Sequence, residues 1–355
     1  MASAEAPVRG IIYRYAATLI NYALALAYVV ALTRYIPADQ YGQYNALVAI
    51  AGLIAMAFPT LGIDVAIARE GAALHGKGHD AAENYSALFA ISLIVSSTYA
   101  AAVVAATPLY LASGIPPSVI PAAYIYAAYI VLSGLASALE YALWMRGRYA
   151  AQNKGWIAGN LAFRTAEIAL IIATRNVLAI PAAMALGHGL RLAYYYLAVG
   201  PPPGIKPGLR KLRHGLRKYL NLGLQEWTLS YVGTAAASAT TYIIFHTLGA
   251  VAASLYGIAV YITGIVGALP GAAANIFMSR AAAALGAGSD AQHILRDYAK
   301  AASTAAGLLA TAAAAAAPLL PYILHGQYAQ ATPYAAALFG SAALAAANGI
   351  YTQYY

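Results

Sequence analysis

The sequence contains no cysteine and few charged residues. The absence of cysteine excludes disulfide frameworks and thiolate metal sites. Asp, Glu, Lys and Arg make up 9% of the 355 residues, whereas a soluble domain carries about 25%. A soluble protein that is 62% hydrophobic would have too few polar groups to cover its surface. The composition therefore predicts an all-α, polytopic membrane bundle, because helices satisfy their own backbone hydrogen bonds in lipid.

Sequence motifs of catalysis are also missing. The chain contains no nucleotide-binding loop, no catalytic triad and no metalloprotease motif. We therefore expect no enzyme activity, no catalytic residue, no cofactor and no energy from ATP bound to this chain. His75 and His79 lie four residues apart in a glycine-containing loop, which does not favour a metal site. The net charge of +9 is interpreted as a signal of membrane orientation, so no nucleic-acid partner is expected.

Ten stretches are long and apolar enough to cross a membrane, for which about 20 residues are needed. They cover residues 14–35, 43–67, 86–107, 119–144, 156–174, 177–199, 219–246, 251–278, 297–317 and 332–352. Alanine and glycine are abundant in them, and small residues allow helix backbones to approach closely in lipid. No cleavage pattern of small residues follows the opening segment, so the first stretch is predicted to be retained.

The basic residues are distributed unevenly over the connecting segments. Of the twenty Lys and Arg residues, sixteen fall in segments that are cytoplasmic if the N-terminus is inside. Two, Arg34 and Arg175, fall outside, and two lie within helices. Because positive charge is retained on the cytoplasmic side, we predict a multi-pass protein of the cytoplasmic (cell) membrane with its N-terminus in the cytoplasm.

A polar stretch at residues 200–218, here called the bridge, interrupts the apolar chain near its middle. It holds six of the twenty Lys and Arg residues, and four prolines oppose a helix through its first half. From Leu209 onward, leucines recur at helical spacing with basic residues on the other face. This pattern predicts a basic amphipathic helix at the membrane surface, with anionic membrane lipids as its partners.

The bridge divides the chain into two predicted lobes. The N-terminal lobe, residues 1–199, holds six predicted helices, and the C-terminal lobe, residues 219–355, holds four. A weak internal repeat indicates pseudo-symmetry, because a proline is followed ten residues later by an arginine in both lobes, at Pro59 and at Pro270. With four helices against six, the second lobe is expected to be incomplete.

Several segments resemble the oligosaccharide (polysaccharide) flippases of the MOP superfamily, which also contains the MATE drug exporters and the lipid II flippase. The turn YGQYNAL at residues 41–47 and the ending LGIDVAIARE at residues 61–70 resemble that family's first helical hairpin. Residues 251–281 and 319–338 look like its eighth helix and its ninth-to-tenth turn. The resemblance implies a two-lobed transporter that flips a lipid-linked oligosaccharide.

Charged residues inside the predicted helices need a function or a partner, because each costs about 2.5–3.5 kcal/mol at the centre of a membrane helix. Given the resemblance, Arg14, Arg164 and Arg191 are predicted to bind the diphosphate of a polyprenyl-diphosphate sugar, since guanidinium groups match phosphate oxygens. The alternative is neutralisation within the bundle. Arg164 and Glu167 are three residues apart and could pair on one helix, whereas Arg191 has no acid within a turn.

The buried acids are candidates for ion coupling. Asp64, Glu167 and Glu226 fall within predicted helices, and a buried carboxylate can carry a proton or coordinate Na⁺. H⁺ or Na⁺ is therefore the candidate coupling ion, and the alternative for each acid is an arginine partner. Glu140 precedes Trp144 at the membrane interface and is predicted to be structural.

The leading hypothesis is a flippase for lipid-linked oligosaccharide that works by alternating access. Its partners would be the lipid-linked sugar and polysaccharide-assembly enzymes. One alternative is a MATE-like exporter of organic cations coupled to H⁺ or Na⁺, against which the buried arginines and an acid-free first helix argue. The other is a non-transporting membrane scaffold for polysaccharide assembly, which the short second lobe favours.

Overall fold

The computed structural model describes residues 5–58, 60–286 and 311–340, together with residues 296, 300, 304, 307 and 308. Within these ranges, side chains are described except at residues 5–19, 76, 149, 222, 225–227, 229–230 and 266–286. The described chain forms helices joined by short turns, and it contains no strand. The predicted all-α class is therefore confirmed.

Four helices open the chain: α1 (Glu5–Tyr35), α2 (Ala38–Ala55), α3 (Ile63–Gly76) and α4 (Ala82–Ala105). Pro37 precedes α2, and its carbonyl accepts a 3.1 Å hydrogen bond from the amide of Tyr41. Proline is suited to this place, because the first amides of a helix have no partner within it. The helix α4 matches the predicted span 86–107 closely.

Four more helices follow: α5 (Thr107–Ala112), α6 (Pro121–Met145), α7 (Tyr149–Thr174) and α8 (Ala179–Val199). The ends of α6 and α8 lie within two residues of the ends of the predicted spans 119–144 and 177–199. The helix α7 begins seven residues before its predicted start at residue 156. Arg175 ends α7 in a left-handed conformation, with φ at 50°.

The prediction of one continuous helix over residues 43–67 is wrong. The helix α2 ends at Ala55, and α3 starts only at Ile63. Between them, Leu61 and Gly62 have φ angles of 55° and 68°, and a right-handed helix requires negative φ. The predicted span is therefore interrupted between α2 and α3.

The helix α9 (Ile205–Gly286) is interrupted at Gly249, where φ is 88° and ψ is 178°. This break separates the predicted spans 219–246 and 251–278.

The helix α9 starts at Ile205, so the expectation that prolines exclude a helix through the first half of the bridge is wrong for Pro207. This residue lies in the first turn, where a missing amide removes no helical hydrogen bond. The rest of the bridge continues without interruption into the following apolar helix.

Four helical segments of the described chain are long and apolar enough to cross a membrane. They are Ala82–Ala105, Pro121–Met145, Ala150–Thr174 and Tyr231–Ile265. Beyond α9, residues 311–316 and 332–340 are helical, with short helical turns at Ala317–Leu319, Leu320–Ile323 and Gly326–Ala331 between them.

The chain packs as two compact units. One comprises Met1–Arg34 with Ser254–Tyr355, and the other is Tyr35–Ala253. In the first unit, the rings of Tyr28 and Tyr261 lie 5.1 Å apart. The predicted lobe boundaries at residues 199 and 219 stay a prediction.

Within the larger unit, α6 packs against α4 and α8, and α8 packs against α7. Small residues allow these helices to pack closely against one another. A Cβ added to Gly134 of α6 would lie 2.7 Å from the Cβ of Ser96 in α4, which is shorter than real side chains tolerate. A buried cluster that includes Ile67, Leu88 and Leu139 fills the space between α3, α4 and α6.

Candidate functional site

The helix α6 carries polar and aromatic side chains along one face. They recur every three or four residues, which is the spacing of one helical face: Tyr126, Tyr129, Ser133, Ser137, Glu140, Tyr141 and Trp144. At about 1.5 Å of rise per residue, this polar face of α6 is about 27 Å long, nearly the thickness of a hydrocarbon layer. Two cavities open onto it, and Ser137 lines both.

The first of them, here called the Glu140 cavity, has a volume of about 400 Å³. Three helices contribute its lining: Val65, Ala68 and Arg69 from α3, Ser137, Glu140, Tyr141 and Trp144 from α6, and Gln152 from α7. An arginine, a carboxylate, an amide and two aromatic rings therefore converge on one space. Such a lining can bind an anionic group and stack against a sugar ring.

Glu140 holds three helices together at this cavity. Its Oε2 accepts a hydrogen bond from Arg191 of α8, and its Oε1 accepts one of 3.2 Å from Gln152 of α7. The hydroxyl of Tyr195 donates to the carbonyl of Gln152 at 3.0 Å. Arg191 has no acid within a turn of its own helix, and the structure supplies Glu140 from a different helix, as the alternative of neutralisation within the bundle predicts. Gly159 of α7 makes room for the Arg191 side chain.

Arg164 and Glu167 form an ion pair on α7, with 2.6 Å between Nη1 and Oε2. The pairing that their spacing allows is therefore confirmed. Glu167 is 2% exposed, and the guanidinium of Arg164 also lies 4.5 Å from the ring centroid of Phe163. The predicted roles of Arg164 in substrate binding and of Glu167 in ion coupling stay predictions.

The second cavity, here called the Asp64 cavity, has a volume of about 310 Å³. Hydroxyl groups dominate its lining: Thr60, Ser92, Ser96, Ser133, Ser137, Tyr99, Tyr126, Tyr129 and Tyr231. Among the described residues that line it, Asp64 alone is charged. Its Oδ1 is buried and has no hydrogen-bond partner in the described chain.

Arg14 and Glu226 lie in α1 and α9, but their side chains lie outside the described residues. The structure pairs Arg191 with Glu140, which lines the Glu140 cavity. It places Asp64 in the lining of its own cavity and pairs Arg164 with Glu167. Sequence reasoning missed the polar face of α6. The signal was present, because Tyr126, Tyr129, Ser133 and Ser137 recur at helical spacing inside a predicted membrane span.

A third polar group lies where the bridge meets α3 and α4, outside the membrane-crossing segments. Here Glu70 accepts hydrogen bonds from the Tyr219 hydroxyl at 2.6 Å and from Lys218 at 2.9 Å, and Lys211 lies 3.5 Å away. Burial alone would raise the pKa of Glu70, but these hydrogen bonds and the two lysine charges lower it to about 2. The group, here called the Glu70 cluster, ties α9 to α3.

Arg210 of the bridge donates to Glu83 of α4 at 2.6 Å. Three basic residues of the bridge, Arg210, Lys211 and Lys218, are therefore paired with acids of the same unit. Lys206, Arg213 and Arg217 are exposed, as are Leu209 and Leu216. An exposed surface that combines leucines with basic residues has the composition expected of a helix at a membrane surface.

A family model described as polysaccharide biosynthesis protein matches residues 8–279. Among solved structures, an inward-facing multidrug resistance MATE family transporter of the MOP superfamily is similar, with a TM-score of 0.68 and 16% identity over 95% of this chain and 82% of that one. A eukaryotic MATE transporter is similar with a TM-score of 0.55 and 11% identity, over 95% and 77%. At these identities the likeness shows a shared fold. No curated protein sequence matches the chain.

Proposed function

This chain belongs to the polysaccharide biosynthesis protein family, and from that premise we propose that it flips a lipid-linked oligosaccharide across the cell membrane by alternating access. Its fold is that of MATE transporters. Under this proposal the N-terminus is cytoplasmic, and the cargo is a sugar carried on a polyprenyl diphosphate. Polysaccharide-assembly enzymes would supply and use this cargo.

The observation that carries the proposal is the polar face of α6 with the Glu140 cavity at one end of it. A polar face of this length is unfavourable in a helix that faces lipid, so it indicates a path for a polar group. Arg69, Tyr141 and Trp144 line the cavity. They offer a cation for a diphosphate and aromatic rings for a sugar.

Arg191 would reach the diphosphate by exchanging partners. At rest its charge is cancelled by Glu140, because an unpaired charge in this environment is unfavourable. A diphosphate that enters the Glu140 cavity offers bidentate acceptors for the guanidinium group. Cargo binding would then keep Arg191 paired, while Glu140 would lose its cation and keep the hydrogen bond from Gln152. Arg14 and Arg164 are the further arginines proposed for this role.

The proposal is tested by reconstituting the full chain in vesicles and following a labelled polyprenyl-diphosphate sugar. Arg191→Gln should reduce the transport rate at least about tenfold, which corresponds to about 1.4 kcal/mol of lost interaction. Because this change leaves Glu140 unpaired, the double variant Arg191→Gln with Glu140→Gln is measured beside it. Arg34→Gln, which also removes one arginine, serves as the control and should transport normally.

The double variant separates the two roles of the pair. If Arg191 binds cargo, the double variant stays slow even though no unpaired charge remains. If the pair only holds α6 and α8 together, removing both charges should restore transport, and Arg191 would be dismissed as a cargo ligand. Transport by every variant at the parent rate would contradict the proposed function of the Glu140 cavity.

Two further parts of the proposal concern energy and lipids. Asp64, Glu167 and Glu226 are the acids proposed for coupling transport to H⁺ or Na⁺. The exposed basic residues of the bridge are proposed to contact anionic lipid headgroups, because Lys and Arg near a membrane surface each contribute about 1 kcal/mol of attraction.

A second candidate function is the export of organic cations. The Asp64 cavity is the observation that favours it. A carboxylate and four tyrosines line this cavity, and none of its described lining residues is basic. An aromatic cavity with one negative charge attracts cations. Increased drug resistance of a sensitive host that expresses the protein, without movement of labelled lipid-linked sugar, would favour the exporter.

A further inference from the structure

The two cavities on the polar face of α6 differ in charge. The Glu140 cavity is lined by a cation, Arg69, as well as by the carboxylate of Glu140. The Asp64 cavity is lined by one carboxylate, and no cation occurs among its described lining residues. A diphosphate is attracted to cations and repelled by a carboxylate that has no cation beside it. The diphosphate of the proposed cargo therefore fits the Glu140 cavity, and the Asp64 cavity suits a different chemical group.

The two cavities also follow one another along α6. Residues of this helix from Tyr126 to Ser137 line the Asp64 cavity, and residues from Ser137 to Trp144 line the Glu140 cavity. The middles of these two stretches are about 13 Å apart along the helix axis. Under the proposed orientation Trp144 lies towards the cytoplasm, which makes the Asp64 cavity the deeper of the two. Because the diphosphate is tied to a lipid tail in the cytoplasmic leaflet, the sugars beyond the first one extend ahead of it into the deeper cavity.

The lining of the Asp64 cavity combines hydroxyl groups with aromatic rings. Serine, threonine and tyrosine hydroxyls donate and accept hydrogen bonds, as the hydroxyls of a sugar do. The rings of Phe58 and Tyr99 are stacked, with centroids 6.4 Å apart. The rings of Tyr126 and Tyr129 lie 5.3 Å apart. The volume of about 310 Å³ is at the lower end of the range of ligand pockets, so it suits a ligand as small as one sugar unit.

Asp64 restricts which sugars this cavity can hold. Its Oδ1 is buried without a hydrogen-bond partner in the described chain, and a buried acceptor without a donor is unfavourable. A hydroxyl or an ammonium group of a sugar can donate to this oxygen. A sugar carboxylate has no proton to donate at neutral pH. It would also place a second negative charge in a space whose described lining contains no cation.

We propose that the Asp64 cavity is a binding subsite for the second sugar of the cargo, and that it accepts neutral and amino sugars and rejects acidic ones. The subsite rests on the proposed function, because it requires the diphosphate and the first sugar to occupy the Glu140 cavity. Asp64 and Ser133 are assigned as residues that hydrogen-bond the second sugar. Selection among sugars is thereby separated from the arginines that bind the diphosphate.

The proposal is tested by equilibrium binding to the purified full chain in detergent. The probes are labelled farnesyl diphosphates that carry a disaccharide ending in glucose, glucosamine or glucuronic acid, and farnesyl diphosphate without sugar. The parent protein should bind the glucuronic acid probe at least about tenfold more weakly than the glucose probe, and the glucosamine probe at least as tightly as the glucose probe. Asp64→Asn preserves shape and removes the charge. It should bring the affinities for the glucose and glucuronic acid probes to within about twofold of each other, and leave the binding of farnesyl diphosphate unchanged.

Two further variants accompany this series. Asp39→Asn is the matched control, since Asp39 also lies in the first turn of a helix but is exposed, and it should discriminate between the probes as the parent does. Ser133→Ala keeps the charge of the cavity and removes one hydroxyl. It should weaken binding of the glucose probe and not that of farnesyl diphosphate. Thermal unfolding in detergent reports whether each variant folds.

Equal affinity of the parent for the glucose and glucuronic acid probes overturns the subsite, and so does discrimination that persists in Asp64→Asn. If the parent also transports the labelled lipid-linked sugar in vesicles, the subsite fails and the flippase proposal stands. Discrimination that depends on Asp64 without any transport would support the sugar subsite and contradict the flippase. Binding of none of the four probes contradicts both.

Discussion

At the scale of residues, the described carboxylates differ in what balances their charge. Glu70 has a hydroxyl and two lysines, Glu140 has Arg191 and Gln152, and Glu167 has Arg164. Asp64 has no such cation in its cavity lining. The first three are balanced by the protein itself, so their protonation or ion binding would require a partner to be displaced.

The Glu70 cluster makes a prediction about acid stability. The pKa of Glu70 is lowered in the folded protein from 4.5 to about 2, so the cluster stabilises the fold fully above pH 4.5. This contribution is lost as the pH falls from 4.5 towards 2, because the proton that Glu70 then binds is held more tightly in the unfolded chain. In detergent, Glu70→Gln should therefore have a lower melting temperature than the parent near neutral pH. The difference between the two melting temperatures should shrink towards pH 2.

The matched control for this series is Glu83→Gln. Glu83 and Arg210 form an exposed pair, with side chains 53% and 67% accessible, and exposed pairs contribute only about 0–1 kcal/mol. We expect the melting temperature of this variant to lie within about a degree or two of that of the parent at every pH. A difference between Glu70→Gln and the parent that stays constant with pH would show that the carboxylate charge is not what stabilises the contact.

Pairing along one helix could be predicted from the sequence, and pairing between helices could not. Arg164 and Glu167 are three residues apart, and helix geometry alone brings them together. Arg191 and Glu140 are fifty-one residues apart, and their contact depends on how α6 and α8 pack. Single-sequence reasoning contains no information on which faces meet, so it could not identify Glu140 as the partner of Arg191.

At the scale of elements, α6 is the helix on which the site depends. One of its faces carries the polar residues that line both cavities, and Gly134 on the same helix allows α4 to approach. A polar face is exposed to lipid unless neighbouring helices cover it. The close α4–α6 contact is thus what turns a line of hydroxyl groups into a cavity wall.

Replacing Gly134 tests this contact. Gly134→Ala places a Cβ 2.7 Å from that of Ser96, and such overpacking typically destabilises by about 1–3 kcal/mol. The identical change at Gly233 of α9 meets nothing within 4 Å, and it should leave stability unchanged or raise it slightly, because alanine favours helix. Thermal unfolding in detergent compares the two variants. Equal melting temperatures would show that α4 and α6 are not closely packed at this point.

Element boundaries were predictable where hydrophobicity changes sharply and not where backbone conformation changes within an apolar stretch. The helices α6 and α8 end at polar or glycine-containing turns and were predicted well. The α2–α3 break lies inside a run of apolar residues, so hydropathy cannot detect it. Leu61 in particular is left-handed, with φ at 55°, and nothing in its side chain favours that conformation.

At the scale of the whole molecule, the family match confirms the resemblance to polysaccharide biosynthesis proteins that the motifs indicated, and the fold is similar to that of MATE transporters. The several apolar helices agree with a membrane location. The orientation is a separate prediction, because it depends on the distribution of basic residues between the connecting segments and not on the fold.

The absence of cysteine makes the orientation simple to measure. Single cysteines introduced by Ser118→Cys and Arg213→Cys carry the only thiols of their variants, since the parent sequence contains none. Both positions are exposed. A membrane-impermeant maleimide added to intact cells should label the first variant and reach the second only after the cells are opened. The opposite pattern would place the N-terminus outside.

The cancellation of charge between Glu140 and Arg191 has an electrical consequence. A single charge that crosses the full membrane voltage exchanges about 2.3 kcal/mol per 100 mV with the field. Two opposite charges that move together exchange nothing, so the resting pair adds no voltage dependence to a return step without cargo. A loaded step differs, because a bound diphosphate adds its negative charge to the neutral pair. The membrane voltage would then affect the rate of the loaded step and not that of the return step without cargo.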